Sequence, residues 1–225
     1  DMLKRARLMH INYPNNPTAA VATKDFFRQV IDFANEHNII VCHDAAYTEI
    51  AYDGYQAPSF LEIDGAKDVG IEFHSFSKTY NMTGWRIAFA VGNGNVISGL
   101  AKVKSNMDSG IFQSVQYAGI EAMKLGKEFN EERNKIYQER RDVFVDGLKE
   151  MGFDVAMPKA TFYVWFPVPK GFTSKSFAMK VLTEAHVVIT PGNGFGQYGE
   201  GYVRAAMTVD VDRIQEAVDR IRKVL

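Results

Sequence analysis

Residues 39–44 read IIVCHD, four apolar side chains followed directly by a histidine and an aspartate. Outward from this stretch, further strand-like segments occur at 7–11, 69–74 and 87–91, and a helical pattern begins after Thr23. Short apolar segments that alternate with helices are typical of strands buried in a parallel sheet. We therefore predict an α/β fold with a mostly parallel sheet, in which ligands bind beyond the carboxyl ends of the strands.

The pattern changes after about residue 109. The spacing predicts strands at 161–166, 187–189 and 202–207, a loop at 190–194, and helices near 112–124, 127–151, 174–185 and 210–225. This is the organisation of a second, smaller α/β unit. We expect two domains, residues 1–125 and residues 126–225.

The composition excludes several classes of protein. A formal net charge of -1 argues against nucleic acid or an anionic membrane as the main partner. No apolar run approaches the ~20 residues that span a bilayer. The five histidines lack the spacing of metal ligands, and the single cysteine allows no internal disulfide. We expect no metal site, no membrane and no nucleic acid, and a cytoplasmic location.

Several conspicuous side chains have a structural interpretation. Cys42 is expected to be a buried thiol, and Phe162 and Trp165 are expected in the core, whereas Tyr13 fits either the core or a substrate pocket. The densest basic cluster is interleaved with Glu131, Glu132 and Glu139, which favours a solvated helix face. Its members are Arg133, Lys135, Arg140 and Arg141.

Four polar segments follow the predicted strands of the first domain: NYPNNPT at 12–18, HDAAY at 43–47, SFSKT at 75–79 and GWR at 84–86. Each alone has an ordinary structural explanation, such as a turn, a helix cap or a surface cation. Together they place an acid, a phenol, an amide, two hydroxyls, a lysine and an arginine at one edge of one sheet. That combination matches the needs of pyridoxal 5'-phosphate (PLP).

PLP needs an amine for its aldehyde, and a partly desolvated lysine can serve as nucleophile and base. A carboxylate against the pyridine nitrogen keeps the ring protonated and electron-withdrawing. Hydroxyls and a guanidinium suit the phosphate, because a guanidinium can bind two of its oxygens.

The same segments, in this order, resemble the fold-type-I PLP enzymes of the aspartate aminotransferase superfamily. The resemblance implies that Lys78 is the Schiff-base lysine and that Asp44 pairs with the pyridinium nitrogen. Further roles that it implies are contacts to the ring hydroxyl from Asn16 and Tyr47, phosphate contacts from Ser75, Ser77 and Arg86, and substrate binding by Arg204, which takes the α-carboxylate, and by Asn16.

Within that superfamily, the motifs at 12–18, 75–86 and 199–204 look most like those of LL-diaminopimelate aminotransferases. The resemblance implies amino-group transfer between an amino acid and a 2-oxo acid, for example LL-diaminopimelate and 2-oxoglutarate, in a homodimeric parent enzyme. Residues 1–125 then correspond to the C-terminal half of the large PLP-binding domain and 126–225 to the small domain. The chain is expected to be a fragment that is inactive alone. Many members of the family have glycine where this chain has Ala19.

Other functions remain open at this point. A β-C–S lyase, a related elimination enzyme or a cyclopropane-carboxylate synthase would carry the same cofactor residues. A transcription regulator with an aminotransferase-like effector domain would bind PLP without turnover. It would need a helix-turn-helix segment upstream, and residues 1–11 do not contain one.

Overall fold

The computed structural model describes residues 2–225. Their contacts group them into two compact units. The first unit contains residues 2–14 and 21–130, and the second contains residues 15–20 and 131–225. The division into domains at residue 125 stays a prediction.

The first unit is built on a four-stranded sheet in the order β1-β2-β3-β4. Neighbours β1, β2 and β3 run parallel, and β4 runs antiparallel to β3. The predicted mostly parallel sheet is therefore confirmed. The strands are β1 (Leu8–Asn12), β2 (Ile40–Asp44), β3 (Gly70–Ser75) and β4 (Ala88–Gly92). Because β1 to β3 are parallel, their carboxyl ends lie at one edge of the sheet.

The helix predicted after Thr23 is α2 (Lys24–His37). The Thr23 side chain caps it by accepting a hydrogen bond from the Phe26 N–H, and Asn38 ends it in a left-handed conformation. The apolar face of this helix, with Phe27, is buried in the core. The other helices of this unit are α1 (Met2–Arg5), α3 (Ala66–Val69), α4 (Phe76–Thr79), α5 (Gly94–Met107) and α6 (Gln113–Ala122).

Helix α5 was not predicted from the sequence, and none of its residues is buried. Val103 is 60% exposed and Met107 is 79% exposed, and Leu100 on the same helix is also exposed. On α6, Tyr117, Ile120 and Met123, which follows the helix, are exposed as well. This face of the first unit is thus unusually rich in exposed apolar side chains.

The second unit contains an antiparallel sheet in the order β5-β7-β6. Its strands are β5 (Tyr163–Pro167), β6 (Thr190–Pro191) and β7 (Tyr202–Ala206), and its helices are α8 (Ser174–Ala185), α9 (Val211–Val224) and most of α7 (Lys127–Glu150). The predicted strand at 187–189 is wrong. Val188 is 80% exposed, and the pairing with β7 begins only at Thr190.

The solvated helix face predicted for the basic cluster on α7 is also wrong in part. Arg133 and Arg141 are buried. Arg141 donates from Nη1 to the Pro158 carbonyl at 2.8 Å and pairs with Asp142 at 2.6 Å. Arginine can bury its aliphatic stem when its guanidinium finds acceptors, which charge alternation in the sequence does not reveal.

No helix within residues 2–225 has the length and apolar character needed to cross a bilayer. In the same stretch, no group of three or more His, Cys, Asp or Glu side chains is arranged to hold a metal ion.

Ala19, the departure from the family pattern, has a left-handed φ of 58°. This conformation is costly for a residue with a Cβ and costs nothing for glycine. We expect Ala19→Gly to raise the free energy of unfolding by about 0.5–1 kcal/mol, as relief of strain outweighs the extra flexibility of the unfolded chain. Ala20→Gly, next in the chain and without a positive φ, should lower it instead. Urea unfolding of both variants tests this, and equal losses would contradict it.

Candidate functional site

Most of the predicted cofactor-binding residues of the first unit follow β2 and β3. Asp44 is the last residue of β2, and Ser75 is the last residue of β3. Tyr47 follows β2 by three residues and is buried, and Lys78 lies in α4, directly after β3. The Lys78 ammonium nitrogen lies 5.8 Å from the centre of the Tyr47 ring. The structure therefore brings these two side chains together at the carboxyl edge of the sheet.

Asp44 is exposed at the end of β2. Its Oδ1 accepts a hydrogen bond from the Ala46 N–H at 3.3 Å. Its main-chain carbonyl accepts a hydrogen bond from Asn12 Nδ2 at 2.8 Å, which joins the ends of β1 and β2. The carboxylate therefore sits on a fixed piece of backbone at the edge where ligands bind in parallel sheets.

Lys78 lies in a short helix whose first two residues are buried. Ser75 caps α4, with its side-chain oxygen accepting from the Ser77 N–H at 3.2 Å, and Phe76 and Ser77 are buried. Burial lowers the pKa of Lys78, and the nearby charge of Arg86 lowers it further. A larger fraction of Lys78 is therefore neutral at a given pH, as a nucleophilic amine requires.

Arg86 is exposed and has a left-handed φ of 55°. Its Nη1 donates to the Thr83 carbonyl at 2.9 Å. The Thr83 hydroxyl in turn donates to the Ser77 carbonyl at 3.1 Å, so the loop after Lys78 is tied back to α4. This loop holds the guanidinium near enough to Lys78 to act on its charge.

In the second unit, the structure brings together Asn16 and Arg204. Arg204 Nη1 donates to Asn16 Oδ1 at 2.6 Å. The guanidinium carbon lies 4.2 Å from the centre of the Tyr163 ring and 4.6 Å from that of Phe195. Arg204 Nε is buried without a hydrogen-bond partner among the described residues. A guanidinium with a buried donor still to satisfy is suited to an anionic ligand.

The two rings beside Arg204 were not predicted as site residues. Tyr163 belongs to β5, which pairs with β7, and Phe195 lies in the glycine-rich segment after β6. Tyr163 stood out only as one of several aromatic residues, and nothing in the spacing of the sequence relates Phe195 to Arg204. Phe162 is buried as predicted, whereas Trp165 is only half-buried and stacks on Tyr202 at 5.4 Å.

The sequence model described as aminotransferase class I and II matches residues 2–221 of this chain. The chain belongs to the aminotransferase class I and II family. It is 60% identical to the LL-diaminopimelate aminotransferase of Moorella thermoacetica over 225 residues, which is 100% of this chain and 58% of that relative. It is 57% identical to the LL-diaminopimelate aminotransferase of Syntrophobacter fumaroxidans, again over 100% of this chain and 58% of that relative.

Solved structures of the aminotransferase family agree with the fold. Apo BacF from Bacillus subtilis has a TM-score of 0.94 and 44% identity, covering 98% of this chain and 56% of BacF. A probable N-succinyldiaminopimelate aminotransferase from Thermus thermophilus has a TM-score of 0.94 and 35% identity, covering 100% of this chain and 60% of that protein. The predicted resemblance is thus confirmed, and the chain spans somewhat more than half the length of these relatives.

The aminotransferase family is PLP-dependent, and the first unit has the chemistry to hold this cofactor. It offers an amine with a lowered pKa, an exposed carboxylate at a strand end, a buried phenol and an exposed guanidinium, in Lys78, Asp44, Tyr47 and Arg86. These are the types of group that an aldehyde, a pyridine nitrogen, a ring hydroxyl and a phosphate require. The residues present therefore fit PLP.

Proposed function

We propose that this chain is the lysine-bearing part of a PLP-dependent aminotransferase, which transfers an amino group between an amino acid and a 2-oxo acid. The observation that carries the proposal is the placement of Lys78. This lysine has a lowered pKa, lies beside Tyr47 and follows β3, and β3 is the neighbour of the strand that ends at Asp44. The names of the relatives in Moorella and Syntrophobacter support LL-diaminopimelate as the amino donor, and we propose 2-oxoglutarate as the acceptor.

Lys78 would hold the cofactor covalently through its amine, and Asp44 would accept a hydrogen bond from the protonated pyridine nitrogen. Tyr47 would donate to the ring hydroxyl. When bound, PLP supplies an electron-poor ring that stabilises negative charge at the substrate α-carbon. The role of Asp44 is to preserve that property by keeping the ring nitrogen protonated.

The phosphate would be bound by the loop around Lys78. Arg86 supplies a guanidinium that can bind two oxygens, and the hydroxyls of Ser75 and Ser77 supply neutral donors. In the structure the Ser75 hydroxyl oxygen caps α4, which leaves its hydrogen able to donate. Attachment at both ends would hold the ring in one orientation.

Once the substrate amine replaces it, Lys78 is the base of the proposed reaction. A neutral Lys78 Nζ would take the proton from the substrate α-carbon and give it up again within the same half of the transfer, so that the amine is neutral when the next half begins. Burial and Arg86, which lower the pKa of Lys78, favour this neutral form. Positioned proton transfer of this kind contributes about 10²–10⁴-fold to a rate.

In the second unit, Arg204 would bind the α-carboxylate of the amino acid. Its guanidinium is held by Asn16 and by the faces of the Tyr163 and Phe195 rings. Its buried Nε has no hydrogen-bond acceptor among the described residues. Asn16 contributes to substrate binding by holding Arg204, and its amide NH₂ would donate to the ring hydroxyl of PLP. Preorganised groups of this kind bind a carboxylate at a small entropic cost.

We also propose that the intact protein is a cytoplasmic homodimer with no nucleic-acid or membrane partner. The near-zero net charge supports the absence of a nucleic-acid or membrane partner. The exposed apolar side chains on α5 and α6 support a dimer.

The proposal is tested first on the covalent link to Lys78. The purified chain is incubated with PLP, its absorption spectrum is recorded, and the product is reduced with borohydride and mapped by mass spectrometry. We expect a band near the visible edge and a PLP label on the peptide that contains Lys78, both absent from Lys78→Ala. Lys102→Ala, which removes an exposed lysine of α5, is the matched control and should behave as wild type.

A label spread equally over surface lysines, or a spectrum unchanged in Lys78→Ala, would overturn the assignment of Lys78. For the reaction itself, glutamate formed from LL-diaminopimelate and 2-oxoglutarate by the full-length protein would support transamination. Pyruvate and ammonia from a sulfur-containing amino acid would indicate elimination instead.

A further inference from the structure

A buried pair of ionisable side chains lies beneath the carboxyl edge of the first sheet. His43 of β2 and Glu72 of β3 are partners in the parallel register, and they are 0% and 1% exposed. His43 Nδ1 lies 2.9 Å from Glu72 Oε1, and His43 Nε2 lies 3.0 Å from the Tyr13 carbonyl oxygen. Both ring nitrogens therefore contact an oxygen.

The partners of the ring decide its protonation state. The Tyr13 carbonyl can only accept a hydrogen bond, so Nε2 must carry a hydrogen. Glu72 Oε1 also accepts from the Phe60 N–H at 2.6 Å, and Glu72 Oε2 accepts from the Ser59 hydroxyl at 2.7 Å. A carboxylate surrounded by donors is ionised and accepts from Nδ1 as well. The geometry therefore makes His43 an imidazolium.

The surroundings of Glu72 favour this ionised state. Burial by itself would raise the pKa of Glu72, yet hydrogen bonds from His43, His74 and Ser59 outweigh it and hold that pKa well below its usual range. His74 Nε2 lies 3.2 Å from Glu72 Oε2, and the exposed Glu62 interacts with the charge of Glu72 from the neighbouring turn. The rings of Phe27 and Phe60 pack against His43, with centroids at 5.1 and 6.3 Å. In such apolar surroundings the attraction between the two charges is strong.

The imidazolium connects three neighbouring strands. Tyr13 directly follows β1, His43 belongs to β2 and Glu72 belongs to β3. Asp44 is the next residue after His43, and its own carbonyl is bound by Asn12 at the end of β1. Two groups at the end of β1, the Asn12 amide and the Tyr13 carbonyl, thus fix the backbone that carries Asp44.

We propose that His43, held as an imidazolium by Glu72, is a positioning residue for Asp44. It does not touch the reacting atoms. It fixes the end of β2 against β1 and β3 so that the Asp44 carboxylate meets the pyridine nitrogen of PLP. This role rests on the proposed function, whereas the charged state of His43 does not.

The charged state is tested without any cofactor by ¹⁵N NMR of the imidazole groups in the 225-residue chain. At neutral pH both ring nitrogens of His43 should carry a hydrogen. In Glu72→Gln, His43 should lose one hydrogen. A neutral His43 in the wild-type chain would overturn the proposal at its first step.

The positioning role is tested by a double-mutant cycle with Asp44. The double variant His43→Leu/Glu72→Leu replaces the ion pair by apolar side chains, a change that often preserves stability. We expect its far-ultraviolet circular dichroism to be unchanged and its PLP affinity to fall by about 10–100-fold, the range known for residues that support the ligands of a bound metal. In an Asp44→Asn background the same double change should cause little further loss, because the route through Asp44 is already removed.

The outcomes separate the two proposals. Equal, additive losses in both backgrounds would overturn the positioning role and leave the proposed function intact. A wild-type chain without PLP on Lys78 would overturn the proposed function and the positioning role together, and the NMR result would still decide the charge of His43. If the double variant unfolds, the comparison is made with the single variant His43→Gln in both Asp44 backgrounds.

Discussion

Glu72→Gln should lower the free energy of unfolding by about 3–5 kcal/mol at neutral pH, the usual cost of removing one partner of a buried ion pair. The glutamate is 1% exposed, and its two oxygens lie within hydrogen-bond distance of four donors, on His43, Ser59, Phe60 and His74. A glutamine offers one acceptor oxygen where the carboxylate offers two, so the substitution leaves buried donors without a partner. Urea unfolding of the variant beside the wild type measures the effect.

The pH dependence gives a second signature of the same change. Because the pKa of Glu72 is lowered in the folded state, its stabilising contribution is present above the unfolded pKa and is lost as the pH falls toward the folded value. The difference between wild type and Glu72→Gln should therefore be complete at neutral pH and smaller below about pH 4. Glu62→Gln, which removes an exposed pair with Lys24, is the matched control and should cost only about 0–1 kcal/mol. Similar losses from both substitutions would refute the prediction.

Gly192→Ala should destabilise the second unit by about 3 kcal/mol, the upper part of the range for overpacking. A Cβ at this position would lie 2.1 Å from the Gly199 carbonyl oxygen and 2.6 Å from that of Tyr202. Both atoms belong to the backbone, so neither can rotate away as a flexible side chain would. The same segment carries Phe195, so the variant should also disturb the ring beside Arg204.

Gly194→Ala provides a control two residues along the same segment. A Cβ there meets nothing within 4 Å, so its thermal midpoint should stay near that of the wild type. The Gly192 variant should show a clearly lower midpoint and altered fluorescence of Trp165, whose ring lies 2.8 Å from the new Cβ. Matching midpoints for the two variants would contradict the steric argument.

Much of the first unit could be predicted from the sequence, because the deciding patterns are local. The apolar run before His43 and the capped helix after Thr23 are each specified by adjacent residues, and the structure has both. The edge at which Asp44 and Lys78 lie follows from the parallel order of the strands. The resemblance to aminotransferases added the individual roles, which remain proposals.

Features that depend on tertiary pairing were not predicted. The two residues of β6 pair with β7, and only that pairing distinguishes Thr190 from the more apolar residues before it. Helix α5 contains Gly94 and Gly99, which weaken a helical pattern, and its apolar residues are not buried. The contact between His43 and Glu72 depends on the register of two strands, which neither strand specifies alone.

The Arg204 environment illustrates the same limit at the level of the site. The arginine itself was found from its motif, but its ring neighbours Tyr163 and Phe195 come from two other segments of the chain. Nor could the sequence indicate that Arg133 and Arg141 are buried, since their neighbours are charged. Partners distant in sequence are available only from the folded structure.

The short segment of residues 15–20 has a consequence for how this protein can be divided. It clusters with the second unit although the chain on either side of it belongs to the first. The hydrogen bond from Arg204 to Asn16 joins residues 188 positions apart. A piece cut after residue 130 would therefore lack the amide that holds its own arginine. Residues 131–225 expressed alone would therefore retain Arg204 but lose Asn16, its partner in this hydrogen bond.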